Sequence, residues 1–205
     1  MIERISLHRP ERAVLLLISA GVVALPTDTV YGVAASLRQP RAVARLFELK
    51  QRPVTVALPI LIGDLDQLAD LGVDFDDRAR RVTERFWPGA LTVIVKASDA
   101  VAQLVGSANG TVGVRLPDDP AIVALLRLSG PLAVTSANRH GEAPCTSADE
   151  VDRAFAGSDQ LDALVDGGPR SGAVSTVLDV STVEPRVLRE GAISAEALMA
   201  TMKEI

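Results

Sequence analysis

The sequence predicts a mixed α/β fold, in which helices pack on a sheet. Short apolar runs typical of buried strands alternate, without strict repetition, with segments whose apolar residues recur at helical spacing. Hydrophobic residues make up 48% of the 205 residues, but aromatic residues only 3%. Val, Leu, Ile and Ala must therefore form the core, and this composition favours a sheet covered by helices over an aromatic-rich sandwich. The sequence contains neither an internal repeat nor a linker, so we expect one domain over residues 1–205.

Several segments have apolar residues on one helical face and end residues that start or stop a helix. Proline opens three of them, at Pro10, Pro40 and Pro120, where its missing N–H costs nothing. Gly21 is expected to end the first helix, and Ser194 to cap the last. The predicted helices are residues 10–20, 40–50, 64–71, 76–86, 120–128, 146–155 and 194–202.

Short apolar segments between those helices are predicted to be strands. After the first of them Pro26 cannot donate the next ladder hydrogen bond, so we expect the sheet to release the chain into a loop over residues 27–35. A second, glycine-rich loop is expected at residues 167–172, where mobility would suit a lid over a ligand. The predicted strands are residues 22–25, 57–62, 91–96, 111–116, 131–135, 161–165, 175–180 and 186–188.

Composition excludes several classes of function. The formal net charge of −5 argues against a broad, nonspecific nucleic-acid surface. Cys145 is the single cysteine, which rules out an internal disulfide and a cysteine-rich zinc site. Only two histidines are present, too few for a multi-histidine metal centre. Charged residues interrupt residues 1–10 and the apolar runs are too short to span a bilayer, so we expect a cytoplasmic protein.

Small polar side chains follow two of the predicted strands. Thr27, Asp28 and Thr29 come after the first strand, and Ser136 and Asn138 follow the strand at residues 131–135. In open α/β sheets, ligands bind in the crevice beyond the carboxyl ends of strands. Hydroxyl and amide groups there would suit a ligand-orienting shell. The same residues could equally be capping turns, and this alternative stays open on these residues alone.

Two cations lie at the end of the helix predicted at residues 40–50. Lys50 and Arg52 are two residues apart, and Pro53 favours extended backbone before it. Alternate side chains of an extended segment share a face, so both cations could address one phosphate or carboxylate. Their alternative role is to complement the C-terminal helix dipole.

Further polar groups lie at other strand ends. Arg115 is near the end of one predicted strand, Arg189 follows another, and Ser175 comes directly after the glycine-rich loop. The phosphate-loop motifs GxxxxGK[ST] and GxGxxG do not occur, and Cys145 is expected to be a buried thiol rather than a nucleophile. The expected chemistry is therefore electrostatic: binding an anionic substrate and stabilising charge by positioning.

Seven blocks then occur in an order typical of one family: PTDTVYG, KQRP, FWPGALT, VGVRLPDDP, TSAN with GEAPCTSADEV, STVLD and VLREG. Through them the chain resembles the YrdC family of threonylcarbamoyl-AMP synthases over about residues 22–193, and in length its single-domain bacterial members. The resemblance implies an open twisted α/β sheet around a positively charged cavity. It implies a nucleotidyltransferase that converts L-threonine, bicarbonate and ATP, with Mg²⁺ accompanying the nucleotide, into L-threonylcarbamoyladenylate and pyrophosphate. Partner proteins would use the product to form threonylcarbamoyladenosine beside the tRNA anticodon.

The resemblance also implies roles for particular residues. The family's catalytic KxR and SxN tetrad matches Lys50, Arg52, Ser136 and Asn138. The residues expected around threonine are Thr27, Arg115, Ser136 and Ser175. The residues expected around ATP are Lys50, Arg52, Thr111, Asn138, Thr146 and Arg189. Mg²⁺ is expected to bind through the ATP phosphates rather than through protein ligands. Val56 departs from the family pattern, so any ATP contact there would come from the backbone.

Three alternatives remain at the level of sequence. One is a YciO-like paralogue that keeps the pocket without supporting the same reaction efficiently. Another is a carbamoyl-adenylate-forming domain like that of hydrogenase-maturation proteins, although the acylphosphatase and zinc-finger segments expected beside it do not occur in this sequence. The third is a nonenzymatic RNA-binding module, which the acidic balance and sparse aromatic residues disfavour.

Overall fold

A ten-stranded mixed sheet organises the chain. The computed structural model describes residues 2–51, 56–139, 141–171 and 173–203. The strands are β1 Glu3–Ser6, β2 Val22–Pro26, β3 Tyr31–Ser36, β4 Ile60–Leu61, β5 Leu91–Lys96, β6 Thr111–Arg115, β7 Leu132–Ser136, β8 Ala163–Asp166, β9 Thr176–Asp179 and β10 Arg186–Arg189. Their order across the sheet is β1-β8-β2-β3-β7-β4-β6-β5-β9-β10. Parallel neighbours such as β2 and β8 occur beside antiparallel ones such as β3 and β7, which confirms the mixed α/β prediction.

Helices cover both faces of this sheet. They are α1 Glu11–Ile18, α2 Pro40–Lys50, α3 Gln67–Asp70, α4 Asp77–Phe86, α5 Asp99–Leu104, α6 Pro120–Ser129, α7 Ala148–Ala154 and α8 Ala195–Lys203. In β2, Val22 and Ala24 pack into the apolar cluster that contains α2, whereas Val23 and Leu25 pack into the cluster formed with α1 and α6. Because both faces of β2 are packed against apolar residues, its sequence is a continuous apolar run. None of the described helices combines the length and apolar character needed to cross a bilayer.

The predicted loop over residues 27–35 is wrong, because most of it forms the central strand β3. Pro26 is the last residue of β2 and is paired with Tyr31, so the chain turns back at once instead of leaving the sheet. The segment YGVAAS contains only one β-branched residue, and intrinsic propensity therefore does not mark it as a strand. Pairing with β2 on one side and β7 on the other stabilises it.

Other boundaries differ more modestly. The helix at residues 40–50 and the strand at residues 91–96 were predicted to the residue. The strand predicted at residues 57–62 contracts to the two residues of β4, and the helix predicted at residues 64–71 to the four of α3. The sequence prediction missed β1 and α5, elements of four and six residues, which are too short for their periodicity to stand out.

Candidate active site

A cavity of about 220 Å³ lies on the face of the sheet that spans β3, β7, β4, β6 and β5. Leu61 and Val134 form an apolar part of its wall. Among the described residues that line it, the charged ones are both cations, Arg115 and Arg189. Its hydroxyl-bearing lining residues are Thr27, Thr29, Tyr31, Thr92, Thr135, Ser136 and Ser175. The cavity thus presents cations and small hydrogen-bonding groups above an apolar wall.

Half of the predicted site residues meet in this cavity: Thr27, Arg115, Ser136, Ser175 and Arg189. Lys50 and Asn138, which are not among the residues named in the cavity lining, hydrogen-bond to Ser136. Thr146 lines a neighbouring depression, and Thr111 lies at the opposite end of β6 from Arg115. Arg52 lies outside the described residues.

Arg115 is held by acceptors from two separate loops. Its Nε donates to the carbonyl of Gly89 at 2.9 Å, its Nη1 to Thr29 Oγ1 at 3.1 Å, and its Nη2 to Asp28 Oδ1 at 2.6 Å. The residue is only 6% exposed. Burial lowers the pKa of its guanidinium, and the nearby carboxylate of Asp28 opposes that effect. Gly89 belongs to the FWPGALT block, which therefore contributes to the site through its main chain.

The turn between β2 and β3 carries a hydrogen-bond chain with a fixed direction. Thr29 Oγ1 accepts from Arg115, because a guanidinium has no acceptor. Thr27 Oγ1 donates its one hydrogen to the carbonyl of Val30 at 2.7 Å, so Thr29 must be the donor of the 2.9 Å bond between the two hydroxyls. Thr27 also accepts from the amides of Thr29 and Val30. Thr27 thus caps the turn while lining the cavity, and its contact with threonine stays a prediction.

Lys50 holds the segment that follows β7. Its Nζ donates to the carbonyls of Ser136 and Asn138 at 2.8 and 2.5 Å, and to Asn138 Oδ1 at 2.7 Å. Ser136 Oγ donates to the same Asn138 Oδ1 at 2.6 Å, and Asn138 Nδ2 donates to the carbonyls of Arg139 and Glu142. The predicted Lys50, Ser136 and Asn138 therefore form one connected cluster, in which Ser136 faces the cavity.

Ser175 and Arg189 line another part of the cavity. Arg189 donates from Nε and Nη2 to the carbonyl of Ser175 and from Nη2 to its hydroxyl at 3.1 Å. Ser175 Oγ also lies 3.0 Å from Thr92 Oγ1. Burial lowers the pKa of Arg189. Sequence reasoning missed Thr92, whose strand of β-forming residues gave no signal of a polar contact.

A second depression, of about 560 Å³, adjoins the cavity at Pro144 and contains Thr146 and Cys145. The hydroxyl and amide of Thr146 both donate to Glu150 Oε2, and these bonds lower the pKa of Glu150. Burial raises the pKa of Cys145 to about 11, which agrees with the expectation of an inert, buried thiol.

The described part of the glycine-rich loop is anchored to the body of the protein. Tyr31 Oη donates to the carbonyl of Gly168 at 2.8 Å and accepts from the amide of Gly167 at 3.2 Å. Arg170 Nη1 donates to Asp119 Oδ2 at 3.0 Å. Gly172 lies outside the described residues, and the function of the loop as a lid stays a prediction.

A metal centre would need acidic, histidine or cysteine side chains of the described residues to lie together. Within the described ranges, no group of three or more His, Cys, Asp and Glu side chains is arranged to hold a metal ion. The carboxylate of Asp28, which lies between the cavity residues Thr27 and Thr29 in the sequence, is paired with Arg115.

Comparison with known proteins identifies the class to which this fold and cavity belong. The family model Sua5_yciO_yrdC, described as "Telomere recombination", matches residues 16–191. The chain belongs to the Sua5/YciO/YrdC family, as its ordered sequence blocks predicted.

Individual relatives carry more specific names. The chain is 38% identical, over 99% of its length, to the threonylcarbamoyl-AMP synthase of Bacillus subtilis, of which it covers 60%. It superposes with a TM-score of 0.91 and 33% identity on P. abyssi Sua5 complexed with L-threonine, over all of this chain and 62% of that one. E. coli YciO gives a TM-score of 0.85 at 25% identity, over 97% and 98% of the two chains. The chain thus spans about three fifths of the length of the first two relatives.

Proposed function

We propose that the protein is an L-threonylcarbamoyladenylate synthase, a nucleotidyltransferase that forms threonylcarbamoyl-AMP and pyrophosphate from L-threonine, bicarbonate and ATP. The observation that carries the proposal is the buried Arg115 in the wall of the cavity, with Arg189 and the hydroxyls of Ser136 and Ser175 around the same space. A fixed guanidinium suits a carboxylate, and a second cation suits a phosphate.

The names of the relatives support this proposal. The B. subtilis relative is named a threonylcarbamoyl-AMP synthase, and the P. abyssi Sua5 structure contains L-threonine. Both are longer than this chain, so their activity and ligand come to it here as a proposal.

In the proposed reaction, the amine of threonine combines with bicarbonate to give a carbamate and water. A carbamate oxygen attacks the α-phosphate of ATP, and pyrophosphate leaves. Arg115 binds the threonine carboxylate, and Ser136 and Ser175 hydrogen-bond the substrate. Arg189 stabilises the negative charge that develops at the phosphate.

The remaining predicted contacts are part of the same proposal. Lys50 and Asn138 set the position of Ser136, and a direct contact of either with ATP is proposed from the family pattern alone. Thr111, Thr146 and Arg52 are also proposed as ATP contacts on that basis. We propose Mg²⁺ as part of the nucleotide substrate, bound through the phosphates.

The wider setting is proposed with the reaction. The product would pass to partner proteins that form threonylcarbamoyladenosine beside the tRNA anticodon. A cytosolic location would supply ATP and tRNA. Direct binding of tRNA is not part of the proposal.

The test is to incubate the protein with Mg-ATP, bicarbonate and labelled threonine, and to measure pyrophosphate and a threonine-containing adenylate. We expect both products, in equal amounts, only when threonine is present. Arg189→Lys should lower their formation, because a point charge replaces a guanidinium fork. Arg186→Lys, at the other end of the same strand and not among the residues that line the cavity, is the matched control and should behave like the wild type. Pyrophosphate formed equally without threonine would refute the proposal.

The same assay addresses the YciO-like alternative, which the superposition on E. coli YciO favours. A YciO-like paralogue would keep the cavity but release little or no pyrophosphate in response to threonine. Efficient threonine-dependent turnover would exclude it.

A further inference from the structure

Asp28 is the one acidic residue in the turn between β2 and β3. Its Oδ1 lies 2.6 Å from Arg115 Nη2, and the two side chains are 14% and 7% exposed, respectively. The contact joins segments 87 residues apart in the sequence. Asp28 therefore fixes a cavity residue from a distant part of the chain.

The three acceptors of Arg115 define the plane of its guanidinium. The carbonyl of Gly89 accepts a hydrogen bond from Nε, the hydroxyl of Thr29 from Nη1 and the carboxylate of Asp28 from Nη2. Each terminal nitrogen has two N–H groups and donates one of them to these partners. One N–H on each terminal nitrogen thus remains without a partner among the described residues. The remaining N–H groups of a guanidinium held in this way can donate charge-assisted hydrogen bonds to a carboxylate.

The energetics of the pair also point to a role in the cavity. Removing a carboxylate and a guanidinium from water is costly, and a buried ion pair is often no more stabilising than apolar residues of similar volume. Stability alone therefore explains little about why this pair lies in the wall of a cavity. Orientation does explain it, because each of the three acceptors restricts the guanidinium in a different direction.

We propose that Asp28 is a positioning residue that orients Arg115 to receive the carboxylate of the amino-acid substrate. This inference rests on the proposed function, since it takes that carboxylate as the ligand of Arg115. Because Asp28 and Arg115 form a neutral pair, recognition depends on the direction of the N–H groups more than on net charge. Asp28 acts through Arg115 and need not contact the substrate.

The experiment compares Asp28→Ala, which removes the acceptor, with Asp28→Asn, which keeps an Oδ1 acceptor without the charge. Asp118→Asn is the matched control, because Asp118 is an exposed carboxylate three residues from Arg115 in the sequence. Calorimetry gives the Kd of L-threonine, and steady-state kinetics give the KM values of threonine and ATP. Thermal unfolding reports on the fold.

We expect Asp28→Ala to weaken threonine binding roughly 10- to 100-fold, the effect of losing a charge-assisted hydrogen bond, and to raise the KM of threonine in proportion. The KM of ATP should stay within about threefold, since Arg115 is assigned to threonine. Asp28→Asn should recover most of the affinity, because it retains an acceptor for Nη2. Asp118→Asn should match the wild type.

Two results would overturn the inference: a threonine Kd in Asp28→Ala within about threefold of the wild type, or a parallel rise in both KM values, which would indicate a structural role. If Asp28→Ala fails to fold, Asp28→Leu decides by the same two criteria, because leucine keeps a branched side chain but offers no acceptor to Nη2. Absence of threonine binding in the wild type would refute the proposed function and the inference together. If the wild type binds threonine and Asp28→Ala binds it equally well, the inference alone is refuted and the proposed function stands.

Discussion

Replacing Lys50 with methionine tests whether this residue organises the site or contacts the substrate. Methionine has a similar length but no ammonium. The ammonium of Lys50 donates to two main-chain carbonyls and to Asn138 Oδ1, and the residue is 5% exposed. After the substitution these buried acceptors lose a charged donor, although Asn138 Oδ1 keeps its bond from Ser136.

The size of the effect follows from two opposed contributions. Hydrogen bonds to a charged group contribute roughly 1.5–3 kcal/mol each. Burial of an ammonium costs several kcal/mol, and this cost disappears with the charge. We therefore expect Lys50→Met to lower the free energy of unfolding by about 2–4 kcal/mol. For a chain of this length the melting temperature would fall by roughly 4–16 °C.

Urea unfolding and calorimetry measure this change. Lys96→Met is the matched control, because Lys96 is exposed at the end of β5. It should change the free energy of unfolding by less than about 0.5 kcal/mol. If Lys50→Met abolished turnover while unfolding like Lys96→Met, the reasoning would be wrong, and Lys50 would act on the substrate instead of on the segment after β7.

Ser136→Ala removes a hydroxyl from the cavity, while Asn138 Oδ1 keeps its hydrogen bond from Lys50. The melting temperature should therefore change little, and the rate of threonine-dependent pyrophosphate release should fall roughly tenfold. An unchanged rate would remove Ser136 from the site. Tyr31→Phe removes the hydroxyl that anchors Gly168, so limited proteolysis of the glycine-rich loop should be roughly fivefold faster for each kcal/mol lost; equal cleavage would mean that other contacts hold the loop. Because the pKa of Cys145 is raised from 9.0 to about 11, its thiolate at pH 8 is roughly a hundredfold scarcer than in an unfolded chain. Alkylation should be slower by that factor, and the difference should shrink as the pH approaches 11; equally fast alkylation at pH 8 would contradict the raised pKa.

The sequence was most informative where local signals and tertiary structure agree. Asp76 and Ser147 cap α4 and α7 with their side chains, and Pro40 opens α2, so these helices were located to within about two residues. The segment YGVAAS shows the opposite case. Its small residues are buried between β2 and β7. Hydrogen bonding to these two neighbouring strands, and not the propensity of the segment itself, makes it the strand β3. Here tertiary pairing overrides a weak local propensity.

The candidate site could be predicted only in part, for a physical reason. Side chains such as those of Arg115 and Ser175 were predicted because the family pattern names them and their chemistry suits an anionic substrate. The partner of Arg115 at Gly89 is a main-chain carbonyl, which has no signature in a sequence. The pairing of Asp28 with Arg115 depends on how the sheet folds, so neither residue alone indicates it.

Three contacts at or beside the cavity span similar distances along the chain. Arg115 and Thr29 are 86 residues apart, Lys50 and Asn138 are 88 apart, and Thr92 is 83 residues from Ser175. Contacts of this range close large loops, and such non-local contacts slow folding because the loop entropy is lost before they form. The cavity therefore cannot exist in any local fragment of the chain. Binding of a ligand to it reports that folding is complete.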